Sequence, residues 1–514
     1  MKRNIPDIKI NDLIKVIYLA PIFLIFSCSN IFKNHETQLG CSEQTDNIYL
    51  KFNDSFLSVD TASKNILASI DESKIGDHFE PIIKYNPFLI DYILISDEII
   101  ECGEEFDFGI LNRTDSIVIS LVKNNIEVEY LITFTTLPVV SIVSEQYIKD
   151  EPKISSYFWL NNINGRNYNN LFGGIEIRGA SSQNYPKKSY DIEFWKDFEG
   201  GDSEDYTFFH MRNDDDWILD AMYIDLSKVR NLTAMIVCSL ITTERDLYLL
   251  SNQKLFQSGK LIELNINNDY LGIYSLNEQI DKKQLGLSDE SFIYKADYYS
   301  EETLMEGISS SPSSSHLWNG FELKYPKNEN VQNWEKIYDL VDKVAYSNDS
   351  SFSSTITEMI NFDNLIDYWL IINISQAIDN MGKNYFIFCN SRNDPLMFSP
   401  WDLDLAFSNQ NFYVSFPIDE ILSNKLIDRL IELNLNNFKG LLKSRWLELN
   451  LQELHEEILR YSNNKISRIK SSGADLREQQ RWLLVSDLDN EIDYINSWLT
   501  NRLEFLDDYI LSRF

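Results

Sequence analysis

The sequence predicts an α+β protein, and three observations carry that prediction. Between about Asp46 and Pro138 the apolar residues alternate, as in Ile117, Ile119 and Leu121 and again in Ile126, Val128 and Tyr130, the period of half-buried strands. The middle of the chain mixes strand-like runs with isolated helical ones. From Ile418 onward helical spacing takes over, in 422–433, 437–449, 451–470 and 488–513. With 514 residues, 44% of them hydrophobic and 13% aromatic, the chain can bury the cores of two or three domains.

In order, the first element is a basic N-terminus (Lys2, Arg3, Lys9, Lys15) followed by the apolar run Val16 to Phe26, too short to span a bilayer and suited to a secretory signal. Ser27 before Cys28 resembles a bacterial lipobox. Residues 1–28 are then a lipoprotein signal peptide, Cys28 the lipidated membrane anchor, and 29–45 a polar tether. The expected location is extracytoplasmic, at the outer membrane or cell surface. An ordinary signal peptide with a chance cysteine is the competing reading. Residues 46–138 read as an immunoglobulin-like β-sandwich, a spacer or binding module. Cys41 and Cys102 are close enough in sequence to pair, whereas Cys238 and Cys389 lie in apolar runs and read as buried thiols. A net charge of −33 excludes a general basic surface for nucleic acid, so any nucleotide site is a local basic pocket.

Residues 139–417 form the expected core of a second domain, with 418–514 as its helical C-terminal part. Strand, small-residue turn and strand follow one another from Gly173 to Phe194. Gly and Ser let backbone amides approach a phosphate there, and a lysine supplies charge. Strand alternation puts Lys188 on the face of Tyr190, Ile192 and Phe194, which favours it over Lys187. Asp225 is positioned to cap the helix that begins near Leu232, and Arg230 is open to a structural or a phosphate role. Glu278 is placed to orient Lys188 or to cap a turn. Ser309 to Ser315 read as a mobile loop beside an acceptor site.

Asp363 is the candidate cap of a helix over 364–378. After it come Asp379, Asn384, the apolar segments 385–388 and 396–398, and Trp401-Asp402-Leu403-Asp404. If the two segments pair as a hairpin, Asp402 returns to the end of the sheet that Asn384 left. Helix, Asp, Asn five residues on, hairpin and Asp is the order used by phosphoryl-transfer enzymes of the protein-kinase type. A carboxylate accepts the acceptor hydroxyl's proton, and hard oxygen ligands suit magnesium.

The ordered set Arg178-Gly179-Ala180-Ser181-Ser182, Pro186-Lys187-Lys188, Asp225 with Arg230-Asn231, Gly272 to Glu278, Asp379 with Asn384, and Trp401 to Asp404 resembles the spore coat protein H (CotH) kinase family, a group of secreted or surface-located atypical kinases. The resemblance covers residues 139–514 and implies an atypical protein-kinase-like domain. It implies Asp379 as the catalytic acid, Asp402 and Asn384 as metal ligands, and Arg178, Ser181, Ser182, Lys188 and Glu278 around the nucleotide. ATP with Mg2+ or Mn2+ is the implied donor, and a Ser or Thr hydroxyl of a surface or secreted protein the acceptor. Ala180 stands where the family often has Asn, and Asp379 lacks a preceding His-Arg pair. Two other readings stay open: a non-catalytic adhesin or assembly scaffold on the same fold, and nucleotidyl transfer at the same site.

Overall fold

The computed structural model describes residues 49–113, 115–242, 254–409, 416–484 and 486–514, all in the compact unit Cys41–Phe514. The expected signal peptide, Cys28, the expected tether and Cys41 lie outside the described residues. Cys102 is disulfide-bonded, and Cys238 and Cys389 are free and buried. The chain is α+β. Ser116–Lys123 and Ile126–Thr135 pair antiparallel within a six-stranded sheet. Its Ile66, Ile93, Ile119, Ile132 and Phe134 share a core with Leu50, Phe52, Ile83 and Tyr85 of a three-stranded sheet.

The next strands close into a barrel. Around it run Val139–Ser144, Ile154–Ile163, Arg166–Arg178, Ser189–Trp195, Asp216–Asp220, Asp269–Glu278 and Gly259–Ile266, the last parallel to the first. Closure leaves no free edge and turns one side of each strand inward. Phe158, Ile192, Phe194, Trp217, Leu219 and Tyr274 fill the interior. Residues of opposite parity face out, and Ile218 there packs with Phe386, Phe388 and Trp401. Those aromatics belong to a five-stranded antiparallel sheet in the order Leu317–Trp318, Phe321–Tyr325, Phe292–Ala296, Tyr385–Cys389, Met397–Pro400.

The helices pack behind this sheet around Phe362–Ser375, buried along nearly its whole length. Its cap is Asn361, whose side chain accepts from the Asn364 amide, and not Asp363; the helix ends at Gln376, which takes left-handed backbone angles. The four C-terminal helices form as Lys425–Leu433, Phe438–Glu448, Leu451–Ser471 and Leu488–Arg513. Glu335–Tyr346, Asp349–Met359 and Ala474–Trp482 are helices that the periodicity did not disclose. Ser309 to Ser315 is tied down: Glu302 accepts the Ser309 amide and hydroxyl, and Trp318 and Trp334 donate to the Ser310 and Ser315 carbonyls.

Ala474–Trp482 buries Ala474 and Glu478, and polar bonds hold it. Arg481 Nε donates to the Tyr270 carbonyl at 2.7 Å and Trp482 Nε1 to the Leu271 carbonyl at 2.9 Å. Glu478 accepts Lys187 Nζ at 2.7 Å and the Ile273 amide at 2.8 Å. Gly272 beside it sits at φ +92°, and a Cβ there would strike the Glu478 carboxylate. Arg477 donates to the fully buried Glu263 at 2.8 and 2.9 Å, and Glu263 also accepts Tyr270 Oη at 2.6 Å and Thr135 Oγ1 at 2.7 Å. One carboxylate thus joins the first β unit, the barrel and the C-terminal helices. Truncating it leaves a buried guanidinium without its counter-charge. Glu263→Ala should cost about 3–5 kcal/mol in urea unfolding; a loss below about 1 kcal/mol would show that the junction does not depend on it.

Candidate active site

Asp379 lies on the single turn Ile378–Met381 that follows the buried helix. The paired segments form the hairpin Tyr385–Cys389 and Met397–Pro400, with Tyr385 opposite Pro400. Asn364 of the helix clamps it, donating to the Phe398 carbonyl at 3.0 Å and accepting the Phe398 amide at 2.6 Å. Beyond the strands the Trp401 amide donates to the Asn384 carbonyl at 2.9 Å. The buried Asn380 holds the same two loops together, donating to the Trp401 carbonyl at 3.1 Å. Asn384 and Asp402 both sit at φ +55°, a left-handed conformation that Asn and Asp tolerate better than most side chains. These positions therefore need their residue types for backbone shape as well as for chemistry. Asn384 Nδ2 lies 3.4 Å from Asp379 Oδ2 and 3.4 Å from Asp402 Oδ2.

Two further carboxylates join the cluster. Burial first, and then the charge of Asp220, push the Asp402 carboxyl up to about 6, against the pull of Arg178. Burial and the charges of Asp402, Asp220 and Asp379 hold Asp404 well above the usual carboxylate range. Asp220 closes its barrel strand on the outward side and accepts Asn231 Nδ2 at 3.1 Å and the Met222 amide at 3.1 Å. Asn231 Oδ1 in turn accepts the Leu403 amide at 3.2 Å, tying the barrel to the acidic loop. Three cations answer this charge: Lys383, 2.9 Å from Asp379 Oδ2, Lys295, 2.6 Å from Asp297, and Arg178. The Arg178 guanidinium lies 5.6 Å from the Trp401 ring, with no carboxylate in ion-pair range among the described residues. On the other side of the acid, Tyr299 Oη donates to the Ile378 carbonyl at 3.0 Å and stands 3.5 Å from Asp379 Oδ1. Burial, then the Asp379 charge, raises the phenol well above its ordinary range.

The expected Lys188–Glu278 pair does not form. Lys188 Nζ turns back to the Gln183 and Tyr185 carbonyls and caps the short turn Ser181–Asn184. Glu278, fully buried, accepts Lys254 Nζ at 2.6 Å and the Arg212 and Ser258 amides. Strand facing and the lysine–glutamate pair of kinases suggest the pairing. Here the sheet is closed, its inner face is core, and the polar cleft lies against its outer face. Lys187 is the fully buried lysine, bonded to Glu478; burial pushes its amine down to about 7. Arg230 is equally buried, held by Asp225 at 2.8 Å and Glu491 at 2.9 Å, and is structural. Asp225 also accepts the Arg230 amide, as a helix cap does. Ser182 lies against Gly179, whose φ of +101° lets the turn close; the Ser181 side chain lies outside the described residues.

The residue types fit a hard divalent cation: Asp402 has carboxylate oxygens and Asn384, whose Nδ2 faces both carboxylates, an amide oxygen, with Asp404 and Asp220 adding negative charge, and magnesium takes only one or two protein carboxylates. Tighter acidic groups occur elsewhere among the described residues, but Asp205, Asp214 and Asp215 are already bridged by Lys283, and His78, Glu80 and Asp107 are exposed.

Asp402 gives a signed test. A carboxyl raised from 3.8 to about 6 binds more protons folded than unfolded between those values, so its favourable contribution is full below about 4 and is lost as pH rises through about 6. The melting temperature of the metal-free protein should fall less between pH 4.5 and 7 in Asp402→Asn than in the parent. Equal falls would remove Asp402 from the strained cluster.

Comparison with known proteins points the same way as the ordered residues. Among curated proteins none matches the chain. Residues 175–506, more than half its length, match the family described as CotH kinase protein, and that span contains Arg178, Asp220, Asp379, Asn384, Asp402 and Asp404. The chain belongs to the CotH kinase family.

Proposed function

We propose that the protein is an extracytoplasmic atypical protein kinase, metal-dependent, transferring the γ-phosphoryl group of ATP to Ser or Thr hydroxyls of a surface or secreted protein. In this reading barrel and helical part form a kinase-like fold, the leading β unit is an immunoglobulin-like module, and a lipid on Cys28 anchors the whole. The observation that carries the reading is Asn384 set between Asp379 and Asp402, at 3.4 Å from each. A magnesium or manganese ion bound by Asp402 and Asn384 would neutralise charge on the donor phosphates.

The chain's own residues then have distinct tasks. Asp379 Oδ1, the oxygen beside the Tyr299 hydroxyl, takes the proton of the acceptor hydroxyl, as the hydroxyl oxygen bonds to the γ-phosphorus and the bond to the bridging oxygen breaks, releasing ADP. Lys383 and Asn384 hold the other oxygen of that carboxylate. Arg178 offers its unpaired guanidinium to the phosphates beside the Ser182 turn. Lys188 supports that turn, and Glu278 braces the barrel.

One observation favours the scaffold reading instead: Lys188 is held by carbonyls and not by a carboxylate, and Lys187, although paired with a helix glutamate as in kinases, is fully buried. Transfer of label from γ-labelled ATP to a protein acceptor separates the two. The purified protein with magnesium should label the acceptor. Asp379→Ala should reduce the rate by ~10²–10⁴-fold, and Asp402→Ala should abolish its dependence on metal. No transfer and no nucleotide-dependent rise in melting temperature would establish the scaffold; transfer undiminished in both variants would misplace the site.

A further inference from the structure

Tyr299 presents a hydroxyl where an acceptor hydroxyl belongs. It lies in the loop after strand Phe292–Ala296, and its ring covers Gly382, where a Cβ would lie 2.5 Å from the ring. The loop is a fixed frame: Ser300 Oγ donates to the Asn319 carbonyl at 2.6 Å, and Tyr385 Oη donates to the Thr303 carbonyl at 2.6 Å. Packing alone would account for a buried ring. Tyr299 is 43% exposed, yet its hydroxyl points inward, donating to the Ile378 carbonyl at 3.0 Å and standing 3.5 Å from Asp379 Oδ1. The two oxygens of Asp379 are thereby divided, Oδ1 toward the phenol and Oδ2 toward Lys383 and Asn384. The neighbouring hydroxyls are engaged elsewhere, Ser300 with Asn319 and Thr303 with the Tyr298 and Ser300 carbonyls.

Resting on the kinase reading, we propose that Tyr299 is an intramolecular phosphoacceptor that covers the acceptor side of Asp379 until it is itself phosphorylated. Tyr299 Oη bonds to the γ-phosphorus of a magnesium-bound nucleoside triphosphate, its proton passes to Asp379 Oδ1, and the bond to the bridging oxygen breaks, releasing the diphosphate with the electron pair. The product carries about −1.5 to −2 charge at neutral pH. Asp379 repels that charge while Lys383, 5.9 Å from the ring, can receive it, so the modified ring leaves the carboxylate and opens it to an external hydroxyl.

The test is phosphosite mapping of the full chain after incubation with magnesium, ATP and dephosphorylated casein, with both proteins digested. The expected result is phosphotyrosine at Tyr299, at an initial rate per molecule that does not change with protein concentration, and lost at least ~100-fold in Asp379→Asn. Label on casein without phosphate at Tyr299 would overturn the inference and leave the kinase reading standing. A rate per molecule that rises with concentration would overturn the intramolecular step. Phosphate on neither protein would defeat the kinase reading, and this inference with it.

Discussion

The arrangement depends on like charges held together. Asp379, Asp402, Asp404 and Asp220 share one mouth between the barrel and the hairpin, where burial first and then their mutual repulsion raise the carboxyls of Asp402 and Asp404. Such a cluster persists only where the surrounding frame over-determines it. Asn380 and the Trp401 amide lock the two loops, Asn364 clamps the hairpin to a buried helix, and Asn231 ties Asp220 to the acidic loop. Amides suit this work because they donate and accept at once without adding charge. The resulting deficit of positive charge is what a divalent cation would relieve, and only with that cation in place could the mouth hold a phosphate-bearing ligand.

Closure of the barrel explains where the remaining charged residues go. An open sheet would offer its concave face to a ligand; the closed one keeps that face for Phe194, Trp217 and Tyr274. The cleft is formed by outward residues, Arg178, Ile218 and Asp220, against Phe386 and Trp401. Lysines that precede a strand, such as Lys187, are then free to serve the frame. The helix Ala474–Trp482 takes the Lys187 charge on Glu478 and, through Arg477 and Glu263, joins the far β unit. Each buried charge in this chain of contacts has a partner, as burial demands.

Much of the fold was legible because its signals are local. The hairpin bearing Asn384 and Asp402 followed from two short apolar runs around a polar turn, and the C-terminal helices from their periodicity. The order Asp379, Asn384, Asp402 was legible for the same reason. Asp404 stood in the quoted Trp-Asp-Leu-Asp run without a role, and Asp220 was within reach of strand alternation, since it shares a face with Asp216 and Ile218. Three things were not legible. Ala474–Trp482 has no apolar stripe, and its bonds reach residues some two hundred positions away. Tyr299 meets Asp379 across eighty positions. The Lys188–Glu278 pairing failed because strand facing does not reveal whether a sheet is open or closed.

The proposed function requires Asp402 and Asn384 to hold a divalent ion against a nucleotide phosphate. Crystals grown with manganese and a non-hydrolysable ATP analogue, measured at the manganese edge, test it directly. An anomalous peak is expected in contact with an Asp402 oxygen and the Asn384 amide oxygen, shared with the analogue's phosphates. A peak confined to another acidic group, or nucleotide bound without metal at these two residues, would contradict it.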